Sequence, residues 1–405
     1  MKILNIFCDM LRPDVLALFN DNILEKDELD IELEKLGGTI YKNAFSVNPD
    51  TGRGLAGLFT GRFAKNNGCT VMGQYPENYL NKELYNLNNL FEEKKIASYF
   101  LCKEDYYNLG YFPKGTKELI KIKETKRYDY KKRLKEVSSK VKREKDIFIF
   151  LTFSDFHDVM SVENYDKKKV KKGKEQLNKI ISYIFKIFNK DDFDYIFIFS
   201  DHGCCYSEEK KDKLYLLNDN RTRITLQVRK KYESNIKENL DLKSILDIFP
   251  TWCFLYNKKI KSDGKILFKN DSNRKIGIES SSKFTTDIWA KSDLWAVITK
   301  NEIIITDKKK KIIFQNQLGK NKILPSSSLL TKEINDILKR ETVFFEEKEI
   351  KIKKDIKKSC KRLFYSDGSF LKSEKQRYIY IYLRYLIART PFYLYLKNIY
   401  KKVVK

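Results

Sequence analysis

The sequence predicts an α/β protein built on a doubly wound, mostly parallel sheet that is flanked by helices. Four short runs rich in Ile, Phe and Val have the length and composition of buried parallel strands: residues 3–8, 97–101, 147–153 and 195–200. Helical segments lie between them, notably at residues 84–94 and 174–189, so strands and helices alternate along the chain. Polar residues follow three of these strands, and open α/β sheets bind their ligands at that carboxyl edge.

Residues 1–290 carry this pattern, and we assign them to one main domain. From Asp293 onward, short strand candidates are separated by clusters of Lys, Asn and Asp, which predicts a smaller C-terminal antiparallel subdomain over residues 291–330. Beyond it the chain is basic, rich in aromatic residues and helical in pattern. Residues 331–405 are therefore predicted to form a basic helical tail.

The tail mixes Tyr, Ile and Leu with Arg and Lys, and Pro391 interrupts it. It is therefore too polar and too broken for a transmembrane helix. An interfacial anchor fits the composition, because aromatic rings sit at the headgroup level and basic groups meet anionic lipid. A helix packed on the rest of the protein or on a partner fits it equally well, and the sequence leaves both interpretations open.

The overall composition limits the classes of function. The 405-residue chain is 42% hydrophobic, which allows a large core, and its formal net charge is +26. Such a charge is typical of proteins that bind nucleic acid or an anionic membrane. Lys, Ile, Asn and Tyr are abundant throughout, however, and no nucleic-acid module is recognisable, so nucleic-acid binding is not expected as the main role.

The first residues, MKILNIFCDML, lack the basic start, long apolar region and cleavage site of a signal peptide. We therefore expect a cytoplasmic protein, with peripheral attachment to the inner face of the membrane if the tail binds lipid. The seven cysteines are scattered without C-x-x-C pairs, which indicates reduced thiols.

Two of the predicted strands are followed by candidate metal ligands. Asp9 follows the first strand, and Asp201 and His202 follow another within the sequence SDHG. A strand-end aspartate alone is weak evidence, because many only cap a loop or pair with an arginine. Adjacent Asp and His on a tight turn, however, can both face one cation. Their oxygen and nitrogen donors suit one divalent metal ion, with Zn, Mn, Mg and Ca left open.

The segment NAFSVNPDTGRGLAGLFTGRFAKNNG, residues 43–68, resembles the signature C-x-P-S-R-x-x-x-x-T-G-R of sulfatases in the alkaline phosphatase and sulfatase superfamily. Aligning T-G-R on residues 60–62 places Thr51 on the nucleophile of the family, and Pro49 also falls where the family commonly has proline. Arg53 is the candidate for the motif arginine, although the residues around it depart from P-S-R. A cap at the start of a helix is the alternative role for Thr51, and the two roles are compatible.

A threonine at this position resembles the nucleotide pyrophosphatase/phosphodiesterases and phosphoethanolamine transferases of the superfamily, which attack phosphorus through a Thr hydroxyl. Sulfatases need Cys or Ser there for conversion to formylglycine. The resemblance therefore implies an enzyme acting on phosphate esters rather than on sulfate esters.

Further resemblances keep the order of the family and extend to about residue 315. They place Lys103 on a substrate-binding lysine and His157 on a substrate-contacting histidine, although the first could be a solvated surface lysine and the second an ordinary loop or core histidine. Residues 221–229 resemble the strand R-V-P-L-I-I-R, and residues 244–264 resemble the D-I-x-P-T helix with the D-G turn after it.

The resemblance implies one divalent metal ion held by Asp9, Asp201 and His202, a phospho-Thr51 intermediate, and substrate binding by Lys103, His157 and Arg53. A surface-glycan or lipid-linked phosphate ester would suit a membrane-bound hydrolase or phosphotransferase. A soluble phosphodiesterase or phosphomonoesterase acting on a small metabolite, and a protein that keeps the fold without catalysis, stay open as alternatives.

Overall fold

The computed structural model describes residues 1–69, 80–81, 83–103, 118–122, 129–162, 167–204, 217, 219–271, 273–280, 294–300, 302–307 and 312–317. The strands in these residues are β1 (Lys2–Cys8), β2 (Gly38–Tyr41), β3 (Ala44–Phe45), β4 (Ala97–Lys103), β5 (Glu118–Ile122), β6 (Ile147–Phe153), β7 (Tyr195–Phe199), β8 (Leu226–Lys230), β9 (Ile236–Asn239), β10 (Lys243–Ser244), β11 (Ile276–Ser280), β12 (Leu294–Ile298), β13 (Glu302–Asp307) and β14 (Ile312–Gln317). The helices are α1 (Glu28–Leu36), α2 (Thr51–Thr60), α3 (Ala64–Asn67), α4 (Leu87–Lys94), α5 (Asp129–Val141), α6 (Asp155–Val162), α7 (Val170–Ile187), α8 (Asp219–Thr222) and α9 (Ile248–Leu255).

The main sheet has the strand order β5-β4-β6-β1-β7-β8-β2-β9 among the described residues. From β5 to β7 all neighbours are parallel, whereas β8 runs antiparallel to both β7 and β2. Because β4, β6, β1 and β7 are parallel, their carboxyl ends meet at one edge of the sheet. The prediction of a mostly parallel sheet flanked by helices is confirmed.

Both faces of the sheet are covered, so side chains from one strand enter two separate cores. In β1, Ile3 and Phe7 belong to one core, whereas Leu4, Ile6 and Cys8 belong to the other. This alternation follows from the two-residue period of a strand. A strand that is buried on both faces must be apolar at almost every position, which explains the continuous apolar runs in the sequence.

The first core is closed by α2, α4 and α9, and the second by α1, α5, α6 and α7. Trp252 of α9 lies edge-on to Phe148 of β6, with ring centroids 4.9 Å apart. Full burial of an aromatic side chain contributes about 1.5–3 kcal/mol, so this contact fixes α9 firmly on the sheet.

A smaller antiparallel sheet contains β11, β12, β13 and β14 in sequential order, which confirms the predicted C-terminal antiparallel unit. Its first strand, β11, precedes residue 291, where the sequence analysis placed the boundary. Residues 318–405, which contain the predicted helical tail, lie outside the described residues. In the described part of the chain, no helix combines the length and apolar character that crossing a membrane requires.

Candidate active site at the carboxyl edge of the sheet

Two acidic residues come together because β1 and β7 are neighbouring parallel strands. Asp9 directly follows β1, and its N–H donates to Phe153 O at the end of β6 (2.9 Å). Asp201 lies two residues beyond β7, and its Oδ1 accepts from the backbone N–H of His202 (2.9 Å) and of Met10 (3.4 Å). Both carboxylates are almost fully buried, at 2% and 0% exposure.

The side chains of Asp9, Asp201 and His202 each offer one ligand atom, and these atoms all lie within 4.8 Å of one another. Asp201 Oδ2 is buried and has no hydrogen-bond partner among the described residues. Burial raises the pKa of Asp201 to about 6, although the backbone N–H groups and the nearby Thr51 hydroxyl act to lower it. A divalent cation between these atoms would stabilise the buried charge, so the residues fit a metal ion.

The orientation of His202 strengthens this fit. Its Nδ1 lies 2.7 Å from Gly203 O, and because a carbonyl oxygen only accepts, Nδ1 carries the proton. Burial, followed by the nearby charge of Arg221, lowers the pKa of His202 despite the opposing charge of Asp9, which favours the neutral ring. Nε2 then turns its lone pair towards Asp201 Oδ2, 3.4 Å away. Two acceptors facing each other repel unless a cation lies between them.

Thr51 lies beside this group at the first position of α2. Its Oγ1 is 3.2 Å from His202 Nε2. The N-cap of α2 is Asp50, whose Oδ1 accepts from the backbone N–H of Arg53 (3.0 Å), so capping does not require the Thr51 hydroxyl. Gly54 lies in the same turn of α2 and faces Asp201, since a Cβ there would be at van der Waals distance, 3.4 Å, from Asp201 Cβ.

Arg53 is 1% exposed and points back to the cap of its own helix. Its Nε and Nη2 bind Asp50 Oδ2 at 2.6 and 2.5 Å, and its Nη1 is buried without a hydrogen bond to any described residue. Burial alone would raise the pKa of Asp50, but the charge and hydrogen bonds of Arg53 outweigh it and lower the pKa. The pair therefore fixes the start of α2, and substrate binding by Arg53 stays a prediction.

His157 lies on α6 with about a third of its side chain exposed, and its Nδ1 is 3.5 Å from Asp158 Oδ1. Burial lowers its pKa, but the negative charges of Asp9, Asp158 and Asp201 outweigh burial and raise the pKa to about 9. Without a metal ion, the charges of the two candidate carboxylate ligands, Asp9 and Asp201, therefore favour the protonated ring. Lys103 is the last residue of β4, and its side chain lies outside the described part, so its role stays a prediction.

Two arginines that the sequence analysis did not assign support the turn after Asp201. Arg12 is 1% exposed; it binds Asp14 through Nε (2.7 Å) and Nη2 (2.6 Å), and Cys204 O through Nη1 (2.8 Å). Arg221 donates from Nη2 to Pro49 O (3.0 Å). Arg221 lies in the segment 221–229 that resembles the family strand, but the resemblance gave it no role, and Arg12 is one of 81 Lys and Arg residues in the chain.

The T-G-R and D-G elements of the resemblance meet each other rather than the ligands. Gly61 has a left-handed φ of 62°, and a Cβ there would lie 2.4 Å from Ser262 Oγ. Arg62 Nη1 pairs with Asp263 Oδ1 at 2.9 Å, and Gly61 O accepts from the backbone N–H of Asp263 at the same distance. These elements lock the far end of α2 and therefore contribute indirectly to the site.

Comparisons with known proteins agree with the fold. The family model for sulfatases matches residues 3–253. No curated protein sequence matches the chain significantly. Among solved structures, BT1596, a 2-O GAG sulfatase, is 13% identical with a TM-score of 0.63, covering 84% of this chain and 92% of that one. Ps i-CgsB is 14% identical with a TM-score of 0.64 and the same coverage. The phosphonate monoester hydrolase SpPMH from Silicibacter pomeroyi is 13% identical with a TM-score of 0.57, covering 84% and 96%.

Proposed function

The chain belongs to the sulfatase family, and we propose that it hydrolyses or transfers a phosphate ester through a covalent phosphoryl group on Thr51. One observation carries the proposal: the Thr51 hydroxyl oxygen lies 3.2 Å from His202 Nε2, beside the buried acidic residues at the carboxyl edge of the sheet. A hydroxyl in this position is directed at the place where a phosphoryl group would be held.

A divalent cation held by Asp9, Asp201 and His202 would lower the pKa of the hydroxyl and offset charge on a phosphoryl oxygen. In the proposed reaction Thr51 Oγ1 loses its proton to solvent and forms a bond to phosphorus. The bond from phosphorus to the leaving oxygen breaks, and that oxygen takes the electron pair and a proton from solvent. Water or an acceptor hydroxyl then attacks phosphorus and gives up its proton to solvent, while the bond from phosphorus to Thr51 Oγ1 breaks and Oγ1 takes the electron pair and a proton.

The other residues of the site fit supporting roles in this reaction. The first amides of α2 favour an anionic group next to Thr51, since helix N-termini stabilise negative charge. His157, in the first turn of α6, is proposed as a substrate contact. Asp50 and Arg53 keep the first turn of α2 in place. Lys103, at the end of a neighbouring parallel strand, is proposed as a further substrate contact.

The choice of phosphate over sulfate rests on the side chain itself. Conversion to formylglycine requires Cys or Ser, and Thr51 is neither. The 2-O GAG sulfatase BT1596 shares the fold at 13% identity, which does not transfer its substrate to this chain. A phosphonate monoester hydrolase with the same fold is consistent with phosphorus chemistry on this framework.

We also propose a cytoplasmic location with peripheral attachment to an anionic membrane through residues 331–405. A surface-glycan or lipid-linked phosphate ester would then reach the site at the membrane face. A small soluble phosphate ester is the alternative substrate, and it is favoured if the tail packs on the protein instead.

The test uses the full-length protein, loaded in turn with Zn, Mn, Mg and Ca. Aryl phosphate monoesters, phosphodiesters, phosphonate monoesters and sulfate esters are compared by kcat/KM, and trapped enzyme is analysed by mass spectrometry for a phosphoryl group on Thr51. The Thr51→Ser variant, which keeps a hydroxyl, serves as the matched control for Thr51→Ala. A preference for sulfate esters, or an adduct on another residue, would contradict the proposal.

A further inference from the structure

Arg221 connects the two halves of the site. Its guanidinium Nη2 donates to Pro49 O (3.0 Å), and its backbone O accepts from the N–H of Gly203 (2.8 Å). Pro49 lies two residues before Thr51, and Gly203 directly follows His202. One residue therefore bonds to the turn that carries the nucleophile and to the turn that carries the metal ligands.

Backbone hydrogen bonds on either side of Arg221 fix the position of its backbone, from which the guanidinium extends. We call residues 219–224 the strap. Thr222 O accepts from Ser46 N (2.7 Å), and Ile224 N donates to Ala44 O (2.9 Å). The strap also lies close against the ligand turn, because a Cβ on Gly203 would be only 1.9 Å from Asn220 O.

We propose that Arg221 is a positioning residue for Thr51, a role that rests on the proposed function of Thr51 as the nucleophile. The backbone of the strap binds the turn at residues 201–203, which carries two of the candidate metal ligands. The guanidinium of Arg221 binds the Pro49 carbonyl and so connects that turn to the start of α2. The distance between the Thr51 hydroxyl and the metal ligands is thereby set from both sides. The residue acts on the nucleophile through the backbone, and its positive charge also reaches His202.

This arrangement predicts a specific kinetic effect. Loss of the bond to Pro49 O would let the 49–51 backbone shift, and a misplacement of about 1 Å can cost about 100-fold in rate. Substrate binding by other groups would persist, so kcat should fall while KM changes little. A residue that bound the substrate directly would raise KM as well.

Arg223 provides a matched control within the same strap. It too donates to a backbone carbonyl, from Nη1 to Lys42 O (3.0 Å), and its Nε lies 2.9 Å from Asp219 Oδ2. Lys42 is nine residues before Thr51, so this arginine supports the strap without contacting the nucleophile turn. If the strap as a whole were destabilised, replacing either arginine would lower kcat to a similar extent.

The experiment compares Arg221→Met, Arg221→Lys and Arg223→Met in the metal-loaded full-length protein, using whichever ester the wild type hydrolyses best. We expect Arg221→Met to lower kcat by about 10- to 100-fold with KM changed less than about threefold. Arg221→Lys should recover part of kcat because an ammonium group also donates to a carbonyl. Arg223→Met should stay within about threefold of wild type in kcat, and thermal unfolding midpoints report the fold of each variant.

Equal losses of kcat at both arginines, an effect confined to KM, or unchanged kcat in Arg221→Met would each overturn the inference. If Arg221→Met does not fold, the comparison of Arg221→Lys with Arg223→Lys decides in the same way. Mass spectrometry of the trapped wild-type enzyme separates the hypothesis that Thr51 is the nucleophile from the hypothesis that Arg221 positions it. The absence of a Thr51 adduct refutes the proposed function. When the adduct is present, the contrast between the two arginines tests the positioning role by itself.

Discussion

Replacing Asp201 by asparagine tests whether the buried carboxylate is built for a cation. In the metal-free protein its pKa is raised from 3.8 to about 6 by burial, so the folded state binds the proton more tightly than the unfolded state. The stability contributed by protonation is complete below the unfolded pKa and is lost as pH rises through the folded pKa. Between pH 4 and pH 7 the metal-free wild type should therefore lose about 2.5 kcal/mol of unfolding free energy from this one group.

The asparagine variant should not show this loss. Its Oδ1 can still accept from the His202 and Met10 amides, and its amide nitrogen can donate to His202 Nε2, which lies 3.4 Å from the replaced oxygen. Without metal, the variant should match the wild type near pH 4 and exceed its unfolding free energy by about 2.5 kcal/mol at pH 7. With metal the order should reverse, because a ligand has been removed.

Urea unfolding of chelator-treated protein from pH 4 to pH 7, repeated with each divalent metal, measures both effects. Asp191→Asn is a control of opposite sign, since hydrogen bonding to Arg229 lowers the pKa of Asp191 and its contribution disappears as pH falls. A metal-free Asp201→Asn variant that is no more stable than wild type at pH 7, or a difference independent of pH, would refute the reasoning.

Three further predictions follow from the site and the tail. Thr51→Ala should abolish turnover while metal content and thermal midpoint stay close to wild type, because Asp50 provides the cap; full activity would exclude Thr51 as the nucleophile. Arg53→Met should lower the unfolding free energy by about 3–5 kcal/mol, since it leaves Asp50 buried without its partner, and the double variant with Asp50→Asn should regain part of the loss in urea unfolding. Truncation before Arg377 should release the protein from anionic vesicles at low salt yet spare hydrolysis of a small soluble ester; if the intact chain ignores such vesicles, the tail is a packing element.

The central strands could be predicted because burial on both faces leaves a continuous apolar run. Residues 147–153 were predicted with the observed bounds, and the run at 3–8 differs from β1 by one residue. The short strands β2 and β9 were missed, because four residues give too little pattern and β9 is partly exposed. Their pairing depends on contacts between distant parts of the chain, which local periodicity does not encode.

Helix starts were harder to predict than helix positions. The first predicted helix begins at Leu87 rather than at residue 84, because Asn86 caps it and Asn89 returns a bond to the cap. The second begins at Val170 rather than at residue 174, since its first turn is polar and carries no apolar period. In both cases the boundary depends on single hydrogen bonds or on exposed residues, to which the apolar pattern is insensitive.

The candidate ligands could be found from the sequence because each follows a buried strand, whereas their supports could not. Arg12 and Arg53 lie in the same two segments as Asp9 and Thr51, yet each binds a carboxylate of its own turn, Asp14 or Asp50. Each of these arginines is thus neutralised by an acid close to it in the sequence. Asp201 Oδ2 has no hydrogen bond from any described residue. A buried carboxylate that no arginine pairs with can be neutralised by a proton or by a cation, and the nearby Asp9 and His202 make a divalent cation fit this place.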